Sequence, residues 1–215
     1  MSDHAHVHDH GHTHGLLDPS IKRSREGLRA VGISLAVLGA AALAQAAIFL
    51  LTDSIALLAD LIHNIGDALT AVPVGAAFLL RSERAERIAG LFVVAAILIS
   101  ACVAGYEAVL RLIDPRAPDQ LATLAIAGLI GYWGNWVAAQ VRSRAGHRLG
   151  SAALIADGNH ARADAYVSLG VVASAAVVAL GVEVADPLIG LAITIVILRI
   201  TWQSWGTVHG HGHAH

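Results

Sequence analysis

Long apolar runs alternate with short polar segments along this chain. A helix that crosses a bilayer needs about 20 mostly apolar residues. In the fifth run, whose uncharged part is Ala165–Val182, we expect the helix to begin earlier, near Ser151. The pattern therefore predicts an all-α membrane protein with six transmembrane helices. The six runs are Ala30–Thr52, Ser54–Leu80, Ile88–Leu110, Gln120–Val141, Ala165–Val182 and Leu188–Trp205.

Composition supports this class and excludes others. The chain is 56% hydrophobic and only 14% charged, whereas soluble domains average about 25% charged residues. The net charge of −2 lacks the basic excess that nucleic acid binding requires, so we expect no nucleic acid partner. A single cysteine, Cys102, excludes a disulfide framework and a four-cysteine zinc site, and we expect it to be a small buried residue.

The distribution of Lys and Arg predicts the orientation. Basic residues are enriched in cytoplasmic loops, and a cytoplasmic N-terminus places ten of them inside and two outside. We therefore expect a multi-pass protein of a bacterial inner membrane with both termini in the cytoplasm. The inner set is Lys22, Arg23, Arg25, Arg29, Arg81, Arg84, Arg87, Arg142, Arg144 and Arg148, and the outer set is Arg111 and Arg116.

Histidine-rich tails, residues 1–27 and 208–215, flank the transmembrane region, residues 28–207. Alternation of His with Gly, Ala or Asp cannot form a core, but it offers flexible metal ligands. The tails could be a purification artefact, but expression tags are usually uninterrupted histidine runs, and we interpret these as native metal-capture segments. The histidines are His4, His6, His8, His10, His12 and His14, and His209, His211, His213 and His215.

An internal repeat carries the main polar groups of the membrane region. A shift of 97 residues places Ser54–Ala68 over Ser151–Ala165, and both copies contain A-L-[LI]-A-D-x-x-H-x-x-x-D-A. The copies lie on the second and fifth helices, three positions apart in helix order, so they run in opposite directions through the membrane. Two inverted three-helix halves are a common transporter plan, with the binding site at the interface of the repeats.

The spacing within each copy indicates a shared metal site. Positions i, i+3 and i+7 fall within about 60° of arc on a helix, so the Asp, His and Asp of D-x-x-H-x-x-x-D in each copy lie on one helix face. Ionisable groups at membrane depth are costly and normally face the interior with a partner. Two imidazoles and two carboxylates form a tetrahedral set suited to Zn²⁺. We therefore predict four metal ligands: His63, Asp67, His160 and Asp164.

Two further aspartates, Asp60 and Asp157, each lie one helical turn before the histidine of their copy. Four roles remain open for them: supporting the ligands from behind, lining the entrance, capping a helix, or binding the metal as a further ligand.

These motifs resemble those of the cation diffusion facilitator family, the proton-coupled exporters of divalent metals. The resemblance covers most of residues 28–207 and includes both HxxxD motifs, the segment Gly150–Asp157 and the segment Ala185–Pro187. It implies a six-helix bundle, usually homodimeric, that exchanges cytoplasmic Zn²⁺ or a similar ion for protons. Family members usually carry a cytoplasmic domain after the last helix. This chain has only a short tail there, so we expect the dimer to be held through the transmembrane helices.

We therefore expect a secondary transporter and not an enzyme, with Zn²⁺ as its transported substrate (alternatively Cd²⁺ or Co²⁺), protons as the exchanged ion and no cofactor. A membrane-anchored metal buffer or sensor would explain the tails but not the opposed repeats. An intramembrane metalloenzyme would need an open coordination position, which four ligands would close.

Overall fold

The computed structural model of the protein describes residues 19–52, 69–114, 120–182 and 185–210. Within these ranges the regular structure is entirely helical. We number the helices in chain order: α1 (Pro19–Thr52), α2 (Leu69–Leu80), α3 (Glu83–Ile113), α4 (Leu121–Leu149), α5 (Ala152–Ala179) and α6 (Ala185–Gly210).

Five of these helices are long and apolar enough to cross a membrane, which confirms the prediction of an all-α membrane protein. The exception is α2, whose described part is short. The second predicted span, Ser54–Leu80, is helical over Leu69–Leu80, and its residues 54–68 lie outside the described part of the chain. The count of six spans therefore stays a prediction.

Helix α1 begins at Pro19, well before its apolar run, because its polar first turns are held by neighbouring helices. Proline suits the first turn of a helix, where its missing N–H would have no intrahelical acceptor. The hydroxyl of Ser24 donates to the Phe78 carbonyl oxygen at 2.6 Å. A Cβ added to Gly27 would lie 2.5 Å from the Phe78 ring, so the close packing of α1 on α2 requires glycine there.

A second polar link joins four helices at this end of the bundle. The guanidinium of Arg23 on α1 donates to both Glu86 carboxylate oxygens on α3, at 2.5 and 2.9 Å, and to the Leu149 carbonyl oxygen at the end of α4. Ser151, which precedes α5, donates to the same carboxylate at 2.8 Å. A bidentate pair of this kind fixes orientation as well as distance.

The turn between α4 and α5 is short and specified by two residues. Gly150 adopts φ +61°, a left-handed conformation that favours glycine at a helix C-terminus. Ser151 caps α5, because its hydroxyl accepts the Leu154 N–H at 3.3 Å. The predicted start of the fifth helix near Ser151 is therefore confirmed.

Helix α5 lies in the interior, packed against α3, α4 and α6. Glycines allow α4 and α5 to approach closely. A Cβ on Gly158 of α5 would lie 2.8 Å from the Ser143 backbone nitrogen, and a Cβ on Gly146 of α4 would lie 2.8 Å from the Ile155 backbone nitrogen. Backbone atoms cannot rotate away as side chains can, so this interface excludes any larger residue at these two positions.

We predict that Gly158→Ala destabilises the protein by about 1–3 kcal/mol, the usual cost of overpacking an interior. The matched control is Gly39→Ala on α1, an exposed position with no atom within 4 Å of an added Cβ. There alanine should be neutral or stabilising by up to about 1 kcal/mol, because it is the better helix former. Thermal unfolding of the purified protein in detergent measures both, and equal midpoints would contradict the prediction.

The outer surface of the described helices is rich in apolar side chains, as expected of a protein surrounded by lipid. Leu51 is 86% exposed and Trp202 is 79% exposed. Cys102 is exposed on α3, so the expectation that it is buried was wrong. It is small enough to lie among lipid-facing residues without an interior contact.

Candidate metal centre

Two of the four predicted ligands, His160 and Asp164, lie on α5 in the interior of the bundle. Their side chains are 1% and 4% exposed. The His160 Nδ1 and Asp164 Oδ2 atoms are 3.8 Å apart. The i, i+4 spacing therefore brings an imidazole and a carboxylate together on one helix face, as the sequence predicted.

The other two predicted ligands, His63 and Asp67, lie outside the described residues, as does Asp60. Among the residues that the structure describes, no group of three or more His, Cys, Asp or Glu side chains comes together as a metal site. The complete four-ligand set thus stays a prediction, and α5 supplies its described half.

One described contact connects α2, which begins two residues after the first HxxxD motif, with α5, which carries the second. Thr70, three residues after Asp67, lies on α2, and its hydroxyl donates to Asp157 Oδ1 at 3.4 Å. Asp157 in turn lies one helical turn before His160 on α5. A residue shortly after the first HxxxD motif is therefore in contact with a residue shortly before the second.

Asp157 belongs to a buried ion pair that sequence reasoning missed. Its Oδ1 accepts a hydrogen bond from Arg142 Nη1 of α4 at 3.1 Å, and the two side chains are 0% and 1% exposed. Arg142 Nε donates to the Ser34 hydroxyl of α1 at 2.8 Å. Together with Thr70, this network joins α1, α2, α4 and α5 in the interior.

The network settles one of the roles left open for Asp157. Ser151, not Asp157, caps α5, and Asp157 lies inside the helix. Its side chain is held by Arg142 and Thr70 through Oδ1, while Oδ2 is buried and makes no hydrogen bond to any residue described here. Asp157 also interacts electrostatically with His160.

The burial of Arg142 corrects its predicted position among the cytoplasmic basic residues. The sequence placed it on a cytoplasmic flank after the fourth apolar run, but α4 continues to Leu149 and buries it. The nine other basic residues of the inner set still outnumber the two of the outer set. A signal for the correct position was present, because Arg142 is in helical register with buried small residues of α4: Gly128, Gly131, Ala138 and Gly146.

The chemistry available at His160 and Asp164 is that of a half-site for a borderline divalent ion. An imidazole nitrogen and a carboxylate oxygen are both ligands of Zn²⁺. The carboxylate also brings negative charge to the interior of the bundle, where an unbalanced charge is costly. The geometry is therefore suited to a cation whose coordination shell is completed by ligands from another helix.

Comparison with known proteins identifies the family. The family model described as the cation efflux transmembrane domain matches residues 31–205. The chain belongs to the cation efflux family. This confirms the resemblance to cation exporters at the level of the family, and it favours a membrane transporter over an enzyme.

Relatives of this cation efflux chain are bacterial. Two proteins named "Probable cation efflux system protein", from Mycobacterium tuberculosis strains CDC 1551 and H37Rv, are each 46% identical to it over 223 residues. The match covers 90% of the chain and 67% of each relative. An "Uncharacterized transporter" from Synechocystis is 33% identical over 180 residues, which cover 78% of the chain and 57% of that protein. His160, Asp164, Arg142 and Asp157 all lie within the matched efflux domain.

Proposed function

We propose that this protein exports Zn²⁺ from the cytoplasm in exchange for protons by alternating access. Cd²⁺ and Co²⁺ are the other candidate substrates, since His/Asp sites accept them as well. The export direction follows from the family, whose relatives bear the name cation efflux system. We place the protein in a bacterial inner membrane with both termini in the cytoplasm, on the strength of the basic residues in its flanks.

The observation that carries the proposal is the buried His160–Asp164 pair in the interior of a cation efflux domain. A transported ion must leave water and enter an apolar bundle, so it needs ligands there that replace its hydration shell. The contact between Thr70 and Asp157 supports the completion of the site by His63 and Asp67, because it joins a residue three positions after Asp67 to a residue three positions before His160. On this basis we assign His63, Asp67, His160 and Asp164 as the ligands.

Proton exchange follows from the chemistry of these ligands. Zn²⁺ binds deprotonated imidazole and carboxylate, so protons compete with the metal for the same atoms. Metal arriving from the cytoplasm displaces protons, and protons arriving from the outside displace the metal. Raising the pH should therefore tighten metal binding.

The test is metal uptake into sealed vesicles that contain the purified protein and have an acidic lumen. We expect Zn²⁺ to enter as protons leave, and a protonophore to stop uptake. Parallel assays with Cd²⁺, Co²⁺ and Mn²⁺ establish the preference. Zinc uptake at the same rate with and without the proton gradient would contradict proton exchange. Tight metal binding without uptake of any ion would favour a membrane-anchored metal buffer or sensor.

The histidine tails should assist capture without forming part of the path. Residues 1–18 and 211–215 lie outside the described residues, whereas His209 is on α6 and stacks on Trp205 with ring centroids 3.9 Å apart. Deleting residues 4–14 and 211–215 should raise the apparent KM for Zn²⁺ and leave the maximal flux nearly unchanged. Complete loss of flux in the folded deletion variant would instead place the tails in the path.

We also expect a homodimer held within the membrane. Small residues allow close approach of helices in lipid, and α1 presents an exposed series at four-residue spacing: Gly32, Ala36, Ala40 and Ala44. Such a dimer should persist in mild detergent and dissociate in harsh detergent, as measured by light scattering. A monomer in native membranes, measured by cross-linking, would contradict this expectation.

A further inference from the structure

We propose that Arg142 helps to set the metal preference of the site by keeping Asp157 out of the ligand set. This inference rests on the proposed function, because it assumes that His160 and Asp164 bind the transported ion. It concerns a residue outside the predicted ligands. Arg142 acts through Asp157 and is therefore a positioning residue.

Position makes Asp157 a potential ligand. It lies on α5 one turn before His160, on the same face as His160 and Asp164, and it interacts electrostatically with His160. Its carboxylate is fully buried, and its Oδ2 atom is not hydrogen-bonded to any of the described residues. Asp157 Oδ2 therefore has lone pairs with which it could bind a metal.

Charge is what prevents it. The guanidinium of Arg142 is positively charged and lies 3.1 Å from Asp157 Oδ1. A divalent ion on the same carboxylate would lie close to this fixed positive charge in a medium that screens poorly. The repulsion disfavours a metal there and leaves Asp164 as the carboxylate that α5 contributes.

The surroundings hold Arg142 in this position. Its Nε donates to Ser34 of α1, whose own hydroxyl donates to the Val31 carbonyl oxygen at 2.8 Å. The close α4–α5 packing at Gly158, which contacts Ser143 next to Arg142, keeps the guanidinium in the interior, where the side chain is 1% exposed. Arg142 thus acts as the counter-ion of Asp157, the carboxylate that is not among the predicted ligands.

Removal of the counter-ion should therefore add a carboxylate to the site. Additional oxygen ligands favour harder ions such as Mn²⁺ over Zn²⁺. In Arg142→Gln we expect the affinity for Mn²⁺ relative to Zn²⁺ to rise by about tenfold, the usual size of effects from groups behind the ligands. The double variant Arg142→Gln/Asp157→Asn should return the ratio to the wild-type value. A merely structural role of Arg142 would not shift this ratio.

The measurement is calorimetric titration of the purified full chain in detergent with Zn²⁺ and with Mn²⁺ separately. The matched control is Arg148→Gln, on the same helix, where the arginine is exposed and paired with Glu26 at 3.3 Å. It should leave the ratio unchanged. An unchanged ratio in folded Arg142→Gln, or a shifted ratio that the double variant does not restore, would overturn the inference.

If Arg142→Gln does not fold, the double variant decides alone, because it removes both charges together. Zn²⁺ affinity equal to the wild type supports the inference, and a loss of about tenfold would identify Asp157 as a ligand and overturn it. His160→Ala separates the two levels of proposal. Zn²⁺ binding in His160→Ala with the stoichiometry and affinity of the wild type would refute the proposed site itself, whereas a reduced stoichiometry there with an unchanged ratio in Arg142→Gln refutes only the role of Arg142.

Discussion

Alanine at His160 or Asp164 is expected to reduce zinc uptake to the level of empty vesicles. Both side chains are buried in the interior of the bundle, where they are expected to replace part of the hydration shell of the ion. Loss of one of four ligands should weaken Zn²⁺ binding by at least about a hundredfold, since loss of a group behind a ligand already costs 10–100-fold. We expect the same of His63→Ala and Asp67→Ala.

The four positions should also behave as one unit. When residues act together on one ion, removing the first destroys most of the function and removing a second adds little. The double variant His160→Ala/Asp164→Ala should therefore be hardly worse than either single variant. Additive losses would indicate two independent sites.

Zinc-driven proton release from the purified protein in weak buffer provides a second measurement that needs no vesicles. Wild-type protein should release protons when Zn²⁺ is added, and each single variant should release only those that the metal displaces from the histidine tails. His147→Ala is the matched control, because His147 is an exposed histidine on α4. Proton release equal to that of the wild type in all four ligand variants would place the metal site elsewhere.

The hydropathy pattern predicted the helices well but not their ends. Membrane thickness sets the length of an apolar run, so α3 and α4 appear where the runs appear. The ends depend on contacts outside the lipid. Helix α1 starts at Pro19 because Ser24 and Arg23 are bound by α2 and α3, and α4 ends after Leu149 because Gly150 adopts the left-handed conformation there.

The candidate site, too, could be predicted from the sequence only in part. Spacing alone placed His160 and Asp164 on one face, because the helical period fixes which residues are neighbours. The partner of Asp157 could not be found by spacing, since it comes from α4 through tertiary packing. A charge that follows an apolar run is usually a solvated flank, and only the register of Arg142 with the small residues of α4 distinguished it.

Breaking the Arg142–Asp157 pair from one side should have the largest effect on stability. Removal of one partner of a buried ion pair leaves an uncompensated charge and typically costs about 3–5 kcal/mol. We expect Arg142→Met and Asp157→Leu each to destabilise by this amount, because both side chains are almost completely buried. Unfolding of the purified protein in mixed detergent micelles measures the change.

The double variant Arg142→Met/Asp157→Leu should recover most of this loss. Two apolar side chains leave no buried charge, and such replacements are often neutral or stabilising. The exposed pair of Arg148 and Glu26 supplies the control, since the same change, Arg148→Met, should cost at most about 1 kcal/mol. If Arg142→Met is no more destabilising than Arg148→Met, the interior pair does not hold α4 against α5. A double variant as unstable as the sum of its parts would show instead that packing volume, and not charge, is what these two positions contribute.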